Sequence, residues 1–290
     1  MRIDLMAGAT RPMARPVQRP RPVILVFDSG LGGLTVLEQV RRARPDAAYV
    51  YAADDAAFPY GRLTEPQLVE RVSAVMGRLL AVHQPDLAVI ACNTASTVVL
   101  PSLRQRFATP FVGVVPPIKP AAAMTRSGVI ALLATPGTVA RAYTRDLVAS
   151  FAATCDVSLV GSTHLARYAE AEMAGTPVAD ADLLAEIAPC FVERADGRRT
   201  DVVCLSCTHY PLLLPRFERL APWPVAWIDP APAIARRVVQ LLGEPAAHPD
   251  APEALAVFTD GSGLTPALAR SLSSRGLAET GVEAMPLALS

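Results

Sequence analysis

Two cysteines in this chain stand at the ends of apolar runs, each followed by residues that donate hydrogen bonds. Leu87–Ala91 (LAVIA) runs into Cys92-Asn93-Thr94, and Asp201–Leu205 (DVVCL) runs into Ser206-Cys207-Thr208-His209. A thiol suits acid/base work at carbon, because its pKa lies close enough to neutrality to be tuned and a helix N-terminus favours the thiolate. One such group removes a proton from one face of a carbon, and a second on the opposite face returns one. Two facing thiols would therefore invert a stereocentre. A positioned acid or base is worth about 10²- to 10⁴-fold. The rest of the barrier to losing a weakly acidic Cα–H must fall to donors that hold the carboxylate-derived oxyanion. Backbone N–H groups of the Asp28-Ser29-Gly30 turn and of the two cysteine turns suit that task.

The elements that must position these groups alternate in a regular way. Val23–Phe27 (VILVF) reads as a buried strand, DSGLGG as a tight turn and Leu34–Arg42 as a helix. Ala48–Ala52 is a second strand, Pro66–Val82 a long helix and Leu87–Ala91 a third strand. The second half repeats the pattern with Val129–Leu133, the ATPGT turn and a helix, then Asp201–Leu205, then a strand and helix at Trp227–Pro230 and Ala231–Leu242. Continuous apolar strands separated by helices predict an α/β fold with parallel sheets covered on both faces. In such sheets ligands bind beyond the carboxyl ends of the strands. Asp28, Ser29, Cys92, Asn93, Thr94, Cys207, Thr208 and His209 all fall at such ends. LAVIACNTAS and DVVCLSCTHY share one design, and the turns at Asp28 and Thr135 are offset much as the two cysteines are. Two related lobes are expected, the first from residues 23–116 plus 226–290 and the second from 117–225. Residues 1–22, rich in Arg and Pro, read as a disordered tail.

Other chemistries compete for some of these residues. Cys204 and Cys207 have the CxxC spacing of redox or zinc sites. A structural zinc takes four ligands, and no second pair stands at matching spacing. Spacing leaves the redox reading open, although Cys204 lies within its strand. Cys155 and Cys190 read as small buried hydrophobes. DSGLGGL invites a dinucleotide reading, with Asp54 or Asp55 as the ribose acid, yet Thr35 stands where the third glycine belongs. Asp28 fits a helix N-cap, which does not preclude a second role. His209 is also suited to structural hydrogen bonding, and His83, His164 and His248 read as surface or structural residues.

Composition narrows the partners. The 290 residues are 51% hydrophobic, enough for one large or two mid-sized cores, and 27 Lys+Arg balance 27 Asp+Glu. That balance leaves no basic footprint for nucleic acid and no pull toward an anionic membrane. The apolar runs are strand-length, and the N-terminal residues lack the apolar core of a secretory signal. Five cysteines at irregular spacing do not make a disulfide framework. These features predict a reduced, cytoplasmic enzyme acting on a small molecule. Lys119 is the sole lysine.

FDSGLGGLTVL, FPYG, ACNTAS, GVVPPIKPA, LLATPGTV and LSCTHYPLL follow one another in this chain. In that order they resemble the glutamate racemases of the aspartate/glutamate racemase superfamily, over residues 23 to 245. The resemblance implies two α/β lobes related by a pseudo-twofold, a cleft between them, and neither cofactor nor metal. It implies that Cys92 and Cys207 are the proton donors and acceptors, with Asp28 assisting the first and His209 the second. It also implies that Asp28, Ser29, Tyr60, Gly61, Asn93, Thr94, Thr208 and His209 line a glutamate substrate, with Glu170 in RYAEAEMAG as a further catalytic helper. Aspartate racemases of the superfamily carry His shortly after CNTA and Glu after the second CT. Ser96 and His209 stand there in this chain, which favours glutamate, with racemisation or isomerisation of aspartate or another small acid as the alternative. Ser206 and Pro230 depart from the residues usual at their positions. The resemblance further implies supply of D-glutamate for peptidoglycan, and it leaves a homodimer open.

Overall fold

The computed structural model describes residues 21–246 and 253–285. All but the last two residues of the expected tail lie outside the described residues, as does His248. The chain runs β1 (Val23–Asp28), α1 (Leu34–Ala43), β2 (Ala48–Ala53), α2 (Glu65–His83), β3 (Leu87–Ile90), α3 (Asn93–Arg106) and β4 (Phe111–Gly113). It continues through α4 (Ile118–Met124), β5 (Val129–Ala134), α5 (Pro136–Ala140), α6 (Ala142–Phe151), β6 (Asp156–Gly161), α7 (Leu165–Met173), α8 (Asp180–Ile187), β7 (Val202–Ser206), α9 (Leu214–Leu220) and β8 (Ala226–Ile228). The last elements are α10 (Ala231–Leu242), β9 (Ala254–Phe258), α11 (Pro266–Ser274) and β10 (Glu279–Val282).

These elements build two parallel sheets, one ordered β10-β9-β2-β1-β3-β4 and one β6-β5-β7-β8. The run β2-β1-β3-β4 in the first has the same succession as β6-β5-β7-β8 in the second. Cys92 therefore follows the strand that corresponds to the one preceding Cys207. Each sheet is covered on both faces, as its unbroken apolar strands require. Ile24 and Val26 of β1 pack with Leu37 of α1 and Val238 of α10, while Leu25 and Phe27 pack with Val72 of α2 and Val99 of α3. In the second sheet Leu133 and Leu205 meet Leu165 of α7 and Phe217 of α9, and Ile130 and Leu132 meet Ile118 of α4. Each fully buried side chain of this kind contributes about 1.5–3 kcal/mol, which holds the strand ends still.

One boundary differs from the expectation. The strand assigned to the first lobe from residue 226 pairs instead with β7, with Val202 opposite Ala226. Its three residues cover an otherwise open edge of the second sheet, and the chain returns to the first lobe only at α10, which packs on α1. Beyond it, β9 pairs with β2 and β10 with β9, so the C-terminal residues extend the first sheet by two strands.

Candidate active site

Both thiols lie at carboxyl ends of interior strands, where the two sheets bring their loops together. Cys92 follows β3 as the N-cap residue of α3, and Cys207 follows β7; they are 6% and 7% exposed. Cys92 Sγ lies 3.7 Å from Ser29 Oγ. Burial, then the nearby charge of Asp28, pushes the Cys92 thiol well above its ordinary value, and the Ala95 amide and Ser29 only partly offset this. Cys92 thus rests as a thiol. Charge on Cys207 also bears on Cys92, so the two sulfurs act within one electrostatic neighbourhood.

Asp28 is fully buried, and burial raises its carboxyl pKa against the opposing pull of His209. Its Oδ2 accepts the Gly33 N–H at 2.7 Å, while Oδ1 has no partner among the described residues. The N-cap residue of α1 is Gly33 itself. Asp28 supplies the capping oxygen from the end of β1 rather than occupying the cap position.

The second thiol has a different escort. Cys207 Sγ lies 3.7 Å from His209 Nδ1, and His209 Nε2 lies 2.8 Å from Glu170 Oε1. Burial works against a charged ring, but the bonds and charges of Cys207 and Glu170 raise the His209 pKa well above its ordinary value. The Gly32 N–H also points at Nε2, at 3.1 Å. One nitrogen cannot accept from Gly32 and donate to Glu170 at once, and in the charged ring its proton goes to Glu170. Glu170 Oε1 also accepts the Leu31 N–H at 2.8 Å, so a carboxylate on α7 of the second lobe ties the DSGLGG turn of the first.

That close approach explains the glycines of the turn. A Cβ on Gly32 would stand 2.4 Å from His209 Nδ1, and one on Gly30 would stand 2.2 Å from Glu170 Oε1. The glycines make room for His209 and Glu170 of the other lobe. Asp54, the ribose acid of the dinucleotide reading, is buried and bonded to Tyr60, Arg71 and Thr259.

The remaining expected residues gather around the same cleft. Ser29, Asn93, Thr94 and Thr208 are all buried, and both side-chain atoms of Asn93 lack partners among the described residues. Thr94 Oγ1 lies 3.1 Å from Thr135 Oγ1 across the lobes, and Thr35 Oγ1 donates to the Thr208 carbonyl at 3.0 Å. Gly61 lies beside Gly137, whose added Cβ would be 3.8 Å from the Gly61 Cα. The Tyr60 hydroxyl is turned to Asp54 Oδ2, at 2.6 Å. A cavity of about 250 Å³ lies between the lobes, lined among others by Gly61, Arg62, Thr135, Pro136 and Arg167.

Sequence reasoning missed several contributors. Thr135 and Thr138 belong to a turn read only for its shape, and Phe58, whose ring lies 5.6 Å from that of His209, belongs to a motif quoted for Tyr60 and Gly61. Ser96, used as a marker of substrate choice, is buried with its hydroxyl donating to the Ile90 carbonyl and accepting the Val114 N–H. The CxxC pair is divided by the sheet. Cys204 packs with Ile130 and Leu132 on one face and Cys207 with Leu133 and Leu205 on the other, and all five cysteines are free. Cys190 is buried in the core while Cys155 is half-buried, and His83 and His164 pair with Glu283 and Glu186.

Known proteins share this sequence and fold. The glutamate racemase of Brucella anthropi is 60% identical over 220 residues, 76% of this chain and 79% of its own. That of Brucella canis is 56% identical over 230 residues, covering 79% and 83%. Among solved structures, Escherichia coli glutamate racemase in complex with L-glutamate and the activator UDP-MurNAc-Ala superposes with a TM-score of 0.82. The two are 42% identical over 91% of this chain and 99% of that one. Bacillus anthracis glutamate racemase isoform RacE1 gives 0.74 at 25% identity, over 94% and 100%. The Asp/Glu/Hydantoin racemase family matches residues 34–238, and with the relatives it establishes that the chain belongs to that family.

Proposed function

We propose that this protein interconverts L- and D-glutamate by a two-thiol mechanism that draws on no cofactor. One observation carries the reading: two buried thiols at corresponding strand ends of two lobes, each with its own polar escort. Starting from L-glutamate, Cys207 as thiolate, with the charged His209 ring as its counter-ion, takes the Cα proton. The electron pair moves into the carboxylate as an enediolate. The Cys92 thiol then delivers its proton to the opposite face, leaving a Cys92 thiolate, a Cys207 thiol and D-glutamate. Exchange with water resets the pair.

Asp28 Oδ1 is available for the substrate ammonium, and the unpartnered Asn93 amide is available for a carboxylate, as are the Thr94, Thr135 and Thr208 groups. Buried polar atoms without partners are costly, so a bound substrate that satisfies them gains specificity. The reading carries with it a cytoplasmic role in supplying D-glutamate for peptidoglycan.

Circular dichroism of L- or D-glutamate with purified protein should decay to zero from either side. In heavy water the inverted product should carry deuterium at Cα. Faster inversion of aspartate than of glutamate, or inversion that keeps the original hydrogen, would overturn the proposal.

A further inference from the structure

Between β2 and α2 the chain carries Tyr60 and Gly61 through two single-turn helices, Asp55–Ala57 and Tyr60–Arg62. Among the described residues this loop pairs with no strand, yet under the proposed function it forms part of the substrate cleft. Its anchor is a buried polar knot at Asp54, which is fully buried at the end of β2. Asp54 Oδ2 accepts the Tyr60 O–H at 2.6 Å and Arg71 Nε–H at 2.9 Å. Asp54 Oδ1 accepts the Thr259 O–H at 2.8 Å as well as Arg71 Nη2–H. The Thr259 oxygen in turn accepts the Ala56 N–H at 3.1 Å, and Asp55 accepts the Asp260 and Gly261 N–H groups, each at 2.8 Å. Arg71 also donates to the Met285 carbonyl.

Two consequences follow from this wiring. Burial, with the Asp54 charge behind it, raises the Tyr60 phenol well above its ordinary value, so Tyr60 stays neutral and acts as a donor to Asp54. Thr259, Asp260, Gly261 and Met285 lie beyond residue 238, where the family match ends, and yet they hold the loop that faces the second lobe.

We infer that Asp54 and Thr259 are positioning residues for the substrate, and that the C-terminal strand pair serves as the brace of the Tyr60–Gly61 loop. Rigid placement of such groups is worth large factors, since small misplacements cost up to about a hundredfold. The inference rests on the glutamate reading only for its kinetic readout. Asp54→Asn would leave Arg71 facing a neutral group in the core and is a poor test for that reason. Thr259→Val keeps the shape and removes the hydroxyl that bridges Asp54 and Ala56, while Thr259→Ser restores it.

The expected result for Thr259→Val is a KM raised by about fivefold or more in both directions, with kcat within about twofold. Amide exchange of residues 55–62 should be faster while β1 and β3 stay protected, and Thr259→Ser should behave as wild type in both assays. The exchange assay needs no substrate, so it tests the brace even if the chain fails to racemise glutamate. Unchanged exchange at 55–62 in Thr259→Val would overturn the inference. So would a loss of thermal stability with KM unchanged, because that marks a merely structural residue.

Discussion

Burial raises the Cys92 thiol pKa, and the two cysteines of the site keep different company. Cys92 has Asp28 and Ser29 beside it and rests as an acid; Cys207 has a histidine whose charge is supported by Glu170. The proposed roles give Cys92 the proton of D-glutamate and Cys207 that of L-glutamate. Serine fits either site but is a much poorer base. With Cα-deuterated substrates, Cys92→Ser should therefore show the larger isotope effect from D-glutamate and Cys207→Ser the larger from L-glutamate. Equal effects in both mutants would reject one thiol per face. Asp28 offers a thermodynamic check. Its folded pKa is raised, so its contribution to stability is whole below the unfolded value of about 4 and is lost as pH rises through the folded value. Asp28→Asn cannot ionise, and its oxygen can still accept the Gly33 N–H. Thermal melts should show the mutant gaining on wild type as pH rises above about 4, while its kcat falls at least about a hundredfold. A mutant that loses ground with rising pH would contradict the raised pKa.

Glu170 shows how one element reaches across the molecule. Its helix, α7, belongs to the second lobe, but its carboxylate accepts the Leu31 amide of the first and pairs with His209. Gln in its place keeps an acceptor for Leu31 and removes the charge that raises the His209 pKa. The sign follows directly: the ring loses its proton at lower pH, so the alkaline limb of kcat should move down in Glu170→Gln. At pH 8 a fall in kcat of about tenfold is expected. A pH–rate profile settles this, and an unshifted limb would show that Glu170 only ties the lobes together. The same element explains why DSGLGG was ambiguous as a motif. Glycine in a turn after a strand suits a bound phosphate as well as it suits a neighbouring side chain, and only the position of α7 and the Cys207 turn decides between them.

The two lobes contact one another through the Thr94–Thr135 and Thr35–Thr208 bonds and the Glu65–Arg141 pair. Among the described residues no helix is long and apolar enough to cross a membrane. The sole lysine, Lys119, is exposed on α4 with its ammonium 5.5 Å from the Phe151 ring of α6. Pyridoxal phosphate chemistry needs a lysine for its Schiff base. Lys119→Arg should therefore retain at least about half of wild-type activity, and the dialysed enzyme should show no aldimine absorbance. Activity abolished together with such a band would overturn the cofactor-free mechanism.

Much of this molecule is local and was legible as sequence. The apolar runs at Val23–Phe27, Leu87–Ala91 and Val129–Leu133, five residues each and bounded by turn signals, point to strands buried on both faces, which a parallel sheet covered by helices provides. The residues at the strand ends follow from that, and so did the list headed by Asp28, Cys92 and Cys207. What tertiary structure alone decided is long-range. β4 is three residues long and β10 (ETGV) has no apolar pattern, so neither announces itself; they form because an already folded sheet edge offers them hydrogen-bond partners. β8 joined the second sheet for the same reason. The pairing of Glu170 with Leu31 and His209, and of Thr259 with Asp54, joins residues far apart along the chain. No periodicity encodes such meetings, since each depends on where elements distant along the chain come to rest against one another.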